Sequence, residues 1–192
     1  QYSKPDMIVQ NDKLYNDIDA LIKKYEYIED ASFVTSIKNT SLAVIDPKNN
    51  CSSFMNAIIL QLASLHDYNN LKLVVLTKKG SNLEIIKNLN HCWNNERTFR
   101  YFATDLHEAE NISSELMKEA NRINSDEFKG KPETYYVVIS DCIQDYKGVR
   151  LVDYILKSSN DNDINKFMSL LMFTDKVTNI PTGCSYFINY SD

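Results

Sequence analysis

From Leu42 onward, runs of consecutive apolar residues alternate with longer segments whose apolar positions recur every three or four residues. Leu42-Ala43-Val44-Ile45 is a short apolar run, followed by a polar loop and then a helical pattern from about Ser52 to Leu65. Leu71-Lys72-Leu73-Val74-Val75-Leu76 is the second predicted strand and Phe99–Ala103 the third. Helical spacing then runs from Leu106 to about Ile123. Asn124 to Thr134, with Gly130 and Pro132, breaks the pattern as a loop. Tyr135–Ile139 is the most hydrophobic predicted strand, a helix follows around Leu151–Lys157, and Ser169–Phe173 is a further strand. Tyr186-Phe187-Ile188 closes the series after the turn Pro181-Thr182-Gly183.

Upstream, Leu14, Ile18, Leu21, Ile22 and Tyr25 fall at helical spacing between Asn11 and Tyr27, with Asn11 or Asp12 as the N-cap. Phe33 to Ile37 alternates weakly and is a candidate strand. The layout is an N-terminal extension with a packing helix over residues 1–30, then one α/β domain over residues 31–192. Continuous apolar strands separated by helices predict a mostly parallel sheet covered on both faces. Ligand sites in such sheets lie at the carboxyl ends of the strands, here just after Ile45 and just after Ile139.

At 192 residues the chain holds one well-buried core. Its 43% hydrophobic and 24% charged residues are the balance of a folded globular domain. The formal charge of −5 comes from 26 acids and 21 bases spread without long blocks. No basic stripe marks a phosphate-backbone binder, so nucleic acid is not an expected partner. Cys51, Cys92, Cys142 and Cys184 form no CxxC and no metal-ligand spacing, which points to a reducing compartment, hence the cytoplasm, and to no metal or cofactor. There is no apolar run of membrane-spanning length and no signal-peptide layout. The chain begins Gln1-Tyr2-Ser3-Lys4-Pro5 and is read as a piece of a longer protein, so any membrane anchor is expected outside it.

The first strand, its loop and the long helix after it form the element on which a phosphate-binding loop is built. Such a loop needs glycines, so that backbone N–H groups can wrap a phosphate, a Lys at the helix start, and a Ser or Thr for magnesium. Here it reads Asp46-Pro47-Lys48-Asn49-Asn50-Cys51-Ser52. It has no glycine, and Cys51 stands at the Lys position. Asp46 adds negative charge, Pro47 removes a donor, and only Ser52 fits. Lys48 could supply a positive charge for weak anion binding. Taken alone, these residues favour an ordinary strand-to-helix connection over a decayed phosphate loop.

Tyr135–Asp141 has the form of a second nucleotide element, a buried strand ending in an acid that positions magnesium. A following Glu normally activates the attacking water, but Cys142 occupies that place. The alternative is a strand-terminal Asp capping the next turn. Asp46, Lys48, Asn49, Asn50, Cys51, Ser52, Asp141 and Cys142 together would make a vestigial nucleotide pocket with no catalytic residue.

Several stretches resemble a known family. Ala57–His66 followed by Leu71–Val75 resembles the helix and second strand of FtsK/SpoIIIE-type ATPase domains. Leu89-Asn90-His91-Cys92-Trp93 is similar to the Leu-Pro-His-x-Trp element of the EssC/EccC ATPases of type VII secretion, with Asn90 in place of Pro. Phe99–Ala103, Phe167–Phe173, Asn179-Ile180-Pro181 and Cys184 follow in the family's order. The resemblance covers most of Leu42 to Tyr190 and is strongest to the degenerate module of the firmicute EssC type. It implies a P-loop NTPase-like fold and a non-catalytic, cytoplasmic module of a membrane-anchored export motor. It also implies partners in adjoining ATPase domains, other secretion components and a hexameric parent, with membrane contact only through segments outside this chain. The alternatives are an active ATP-dependent translocase with unusual motif residues, or a small cysteine-dependent α/β enzyme.

For that last alternative, His91 and Cys92 are the candidate base and nucleophile. Neighbours on an extended segment point to opposite sides, so Trp93 with one neighbour packed under a loop is the expected arrangement. His66 and His107 are read as surface residues. Cys51 at a helix start could be a redox-sensitive thiol or a small half-buried apolar residue. The glycines Gly80, Gly130, Gly148 and Gly183 are scattered, which excludes a dinucleotide fingerprint.

Overall fold

The computed structural model describes residues 36–48, 52–158 and 167–190. Six parallel strands make one sheet: β1 (Ser41–Ile45), β2 (Leu71–Leu76), β3 (Phe102–Ala103), β4 (Tyr135–Ser140), β5 (Met168–Thr174) and β6 (Tyr186–Asn189). Their spatial order is β3-β2-β4-β5-β1-β6. Among the described residues, three α-helices lie in the connections: α1 (Ser52–Leu65), α2 (Leu106–Ile123) and α3 (Arg150–Ser158). The crossover from β1 through α1 reaches β2 past two intervening strands, so β5 separates the strand before the loop from the strand that ends in an acid. This is a P-loop NTPase-like α/β fold, with the sheet parallel throughout the described residues.

The four strands β1, β2, β4 and β5 are buried on both faces, which is why the sequence shows continuous apolar runs rather than alternation. One face carries Leu42, Val44, Leu73, Val75, Val137, Ile139, Leu171 and Phe173 against Met55 and Ile59 of α1 and the segment around Leu83, Ile86 and Cys92. The other carries Ala43, Val74, Leu76, Val138, Leu170 and Met172 against α2 and α3. Helix α2 buries Ala109, Ile112, Leu116, Ala120 and Ile123, spaced three or four apart on one stripe. Burying each of its larger side chains contributes about 1.5–3 kcal/mol. Asp105 caps α2 by accepting the Glu108 amide at 2.9 Å, and Glu108 reaches back to the Thr104 amide at 2.7 Å, so two end donors are satisfied.

The three helices predicted from Ser52 onward, and most strands, stand within a residue of the observed bounds. The third strand is a correction: it spans only Phe102–Ala103, because Arg100 is drawn into an antiparallel bridge with Trp93 instead of pairing with β2. His91 and Cys92 are also corrected. They lie in a 3-10 turn, Asn90–Cys92, and both side chains are buried, whereas an extended segment would have sent them to opposite sides. Ser36 and Ile37 are not in a strand, and Phe33 to Thr35 lie outside the described residues, as do the helix expected over Asn11–Tyr27 and the expected boundary near residue 30. No helix among the described residues is long and apolar enough to cross a membrane.

Candidate functional site

The strand register brings the carboxyl ends of β1, β5, β4 and β2 level, with Ile45 opposite Thr174, Met172 opposite Ser140 and Ser140 opposite Leu76. The residues that follow these strands therefore meet at one edge. A cleft of about 600 Å³ opens there, within the size range of small-ligand sites. Among the described residues it is lined by Asp46, Lys48 and Ser52 from the β1 loop and α1, and by Asp141 and Cys142 after β4. Thus five of the eight residues singled out in the sequence come together. Asn49, Asn50 and Cys51 lie outside the described residues.

Asp46 is buried at the end of β1, its amide donating to the Thr174 carbonyl at 2.8 Å. Its carboxylate turns back and accepts the Lys48 amide at 3.0 Å. This is the local turn that Asp favours over a wrapping loop. In a phosphate loop such amides face the ligand; here one of them is directed onto a carboxylate of the loop itself.

Asp141 is held by two hydroxyls. Thr77 Oγ1, on the residue after β2, donates to Oδ1 at 2.7 Å, and the Ser81 hydroxyl donates to Oδ2. The acid thus fastens the β2 loop to β4, a role different from capping its own following turn. The Cys142 amide instead donates to Ser140 Oγ at 3.2 Å. Ser81 reaches Asp141 after a turn through Gly80, whose φ of +84° disfavours any side chain, and Ser81 Oγ also accepts the Leu83 amide that starts the 3-10 segment Asn82–Ile86.

Burial, reinforced by the Asp141 and Asp145 carboxylates, pushes the Cys142 thiol up to about 12. It is a protonated thiol at neutral pH, with no capacity to take a proton from water. Lys78 also lines the cleft, but its ammonium pairs with Asp145 at 2.9 Å. Four aspartates, Asp46, Asp141, Asp145 and Asp175, face two lysines across the lining, so the edge repels a polyphosphate. Among the described residues, three features depart from a magnesium-nucleotide site: the engaged Lys48 amide, a thiol where a second acid would stand, and the excess of aspartates over lysines.

Thr77, Ser81, Lys78, Asp145 and Asp175 were missed by the sequence reading. Thr77 carried the available signal, as the first polar residue after an apolar strand.

The second candidate pair is resolved differently. His91 Nε2 donates to the His66 carbonyl at 2.9 Å, and the Cys92 thiol donates to the Ile86 carbonyl at 3.4 Å. Each is satisfied by a backbone carbonyl, and burial raises the Cys92 thiol to about 12. His66 and His107 are exposed, and no cluster of His, Cys, Asp and Glu suited to a metal occurs among the described residues.

No family model and no curated protein matches this sequence. Solved structures with the same fold do. The cytoplasmic domain of the Thermomonospora curvata type VII secretion ATPase EccC superposes with a TM-score of 0.53 at 9% identity, over 71% of this chain and 16% of that one. ATPases 2 and 3 of the same organism's EccC, in complex with a signal sequence peptide, give 0.52 at 16% identity over 75% and 29%. EssC ATPases 2 and 3 from Geobacillus thermodenitrificans give 0.55 at 15% identity over 82% and 34%. The chain therefore has the fold of the ATPase modules of EccC and EssC, and spans about a third or less of the length of those chains.

Proposed function

We propose that this chain is a non-catalytic ATPase-like module of a membrane-anchored type VII protein secretion motor, acting at the cytoplasmic face of the membrane. Its role in this reading is to couple the membrane part of the motor to active ATPase domains of the same chain, within a hexameric parent. The fold shared with EccC and EssC modules supports the system. The observation that carries the non-catalytic part is the Asp46 carboxylate accepting the Lys48 amide, where a phosphate loop needs amides for its ligand. Cys142, protonated and in the position of the base, supports it independently.

A module without chemistry influences a motor only by contacting one of its states better than another. Deleting residues 36–190 from the full-length protein is the test, with secretion, ATP turnover and assembly state measured together. Altered secretion with the active domains still folded is the expected result. If all three quantities are unchanged, the domain is a passive spacer and the coupling role is lost.

A further inference from the structure

A second cleft, of about 650 Å³, lies at the β3 edge of the sheet, between the segment that follows Lys79, the Trp93–Arg100 bridge and the first turns of α2. Its central feature is the Arg100 guanidinium, stacked 4.2 Å from the centre of the Trp93 ring. The stack is built in by the backbone: Trp93 and Arg100 pair as an antiparallel bridge, and Asn94 Oδ1 clasps the intervening loop by accepting the Thr98 and Phe99 amides at 2.9 and 3.0 Å. The guanidinium is thus positioned in advance, and little rotamer freedom remains to be lost on binding.

The polar groups of this cleft are unevenly satisfied. Its acids are engaged locally: Glu108 accepts from Thr104, Asp105 from the Glu108 amide, and Glu84 from the Gly80 amide. Its cations, Lys79, Lys87 and Arg100, make no ion pair among the described residues, and Arg100 Nε is buried with no hydrogen-bond partner. Nε is shielded from the cleft, but the terminal amino groups of the guanidinium make no hydrogen bond among the described residues and are the donors that a ligand oxygen would meet. Beside the cations, Phe99 and Phe102 offer apolar surface.

We propose that this cleft binds a carboxylate carried on an apolar body, the carboxylate meeting Arg100 with Lys87 as the second cation, and the apolar body lying against the two phenylalanines. A planar carboxylate matches the guanidinium fork. Three acids among the lining residues disfavour a doubly charged phosphate or a polyanion, which leaves a single negative charge as the best match.

Trp93 is the sole tryptophan, so its emission reports on this cleft directly. The 192-residue chain is titrated with 3-phenylpropionate, with acetyl-Ala-Leu-Phe bearing a free carboxylate, with the same peptide as its amide, and with inorganic phosphate. A saturating change with a carboxylate probe is expected, weakened about tenfold or more by amidation and by Arg100→Gln. Saturation by the peptide acid alone assigns the carboxylate to a peptide, and equal saturation by 3-phenylpropionate assigns it to a small free acid. Lys87→Gln, which breaks no ion pair, covers the case in which Arg100→Gln loosens the loop, and is expected to weaken binding several-fold. No saturation by either carboxylate below about 10 mM, equal binding of phosphate or the amide, or unchanged affinity in both variants overturns the proposal.

Discussion

The Thr77 hydroxyl donates to Asp141 Oδ1 at 2.7 Å, joining the residue that follows one strand to the residue that follows its neighbour. Thr77 is fully buried, and Ser81 holds the other carboxylate oxygen. The acid that the sequence suggested for magnesium thus serves as the fastening of a loop.

Thr77→Val removes that donor while preserving shape. A hydrogen bond to a charged group contributes about 1.5–3 kcal/mol, so urea denaturation of the variant should show a lower midpoint by a corresponding amount, with the slope unchanged. An unchanged midpoint would mean that the bond contributes nothing to the fold.

Alkaline stability should depend on Cys92. Burial raises its thiol from 9.0 to about 12, against the opposing pull of Arg100 and Lys72. Between those values the unfolded thiol ionises first while the folded one keeps its proton. The native state then binds more protons, and stability falls as pH rises, by up to about 1.4 kcal/mol per pH unit. Below pH 9 the contribution is complete. Cys92→Ala lowers stability at every pH through lost packing, but its fall between about pH 9 and 11 should be shallower than the parent's. Parallel curves from denaturation at several pH values would contradict this.

Much of the fold was legible because β1, β2, β4 and β5 are buried on both faces, and an apolar run such as Leu71–Leu76 has no other reading beside a helix as periodic as Leu106–Ile123. The strand order was not legible. That β5 inserts between β1 and β4 follows from crossovers that no local pattern records, and this insertion brings Thr174 and Asp175 into the first cleft. Asp46 and Asp141 could be found because they directly follow apolar strands. Ser81 could not, since its approach to Asp141 depends on the positive-φ turn at Gly80. The Trp93–Arg100 bridge escaped for a similar reason: Phe99–Ala103 has strand composition, but its first residues pair backward with the Trp93 segment.

Cys51→Lys alone should not create an ATPase. The Asp46 carboxylate still takes the Lys48 amide, the loop still lacks glycine, and Cys142 still stands in place of a base. Each missing element is worth orders of magnitude in rate. Phosphate release above background from this single variant would show that the loop is more permissive than its hydrogen bonds suggest.

Duplex DNA should bind weakly at physiological salt. With a net charge of −5 and no clustered bases, there is little counterion release to drive association. Submicromolar binding in a fluorescence-anisotropy titration at 150 mM salt (a Debye length of about 8 Å) would contradict the expectation.

The central claim is that the edge where Asp46, Asp141 and Cys142 meet neither holds nor hydrolyses a magnesium nucleotide. Calorimetric titration of the chain with Mg-ATP, with phosphate release followed in the same sample, tests it most directly. The account predicts no affinity tighter than about 1 mM and no turnover above the buffer. Micromolar binding, or steady phosphate release that scales with protein concentration, would contradict it.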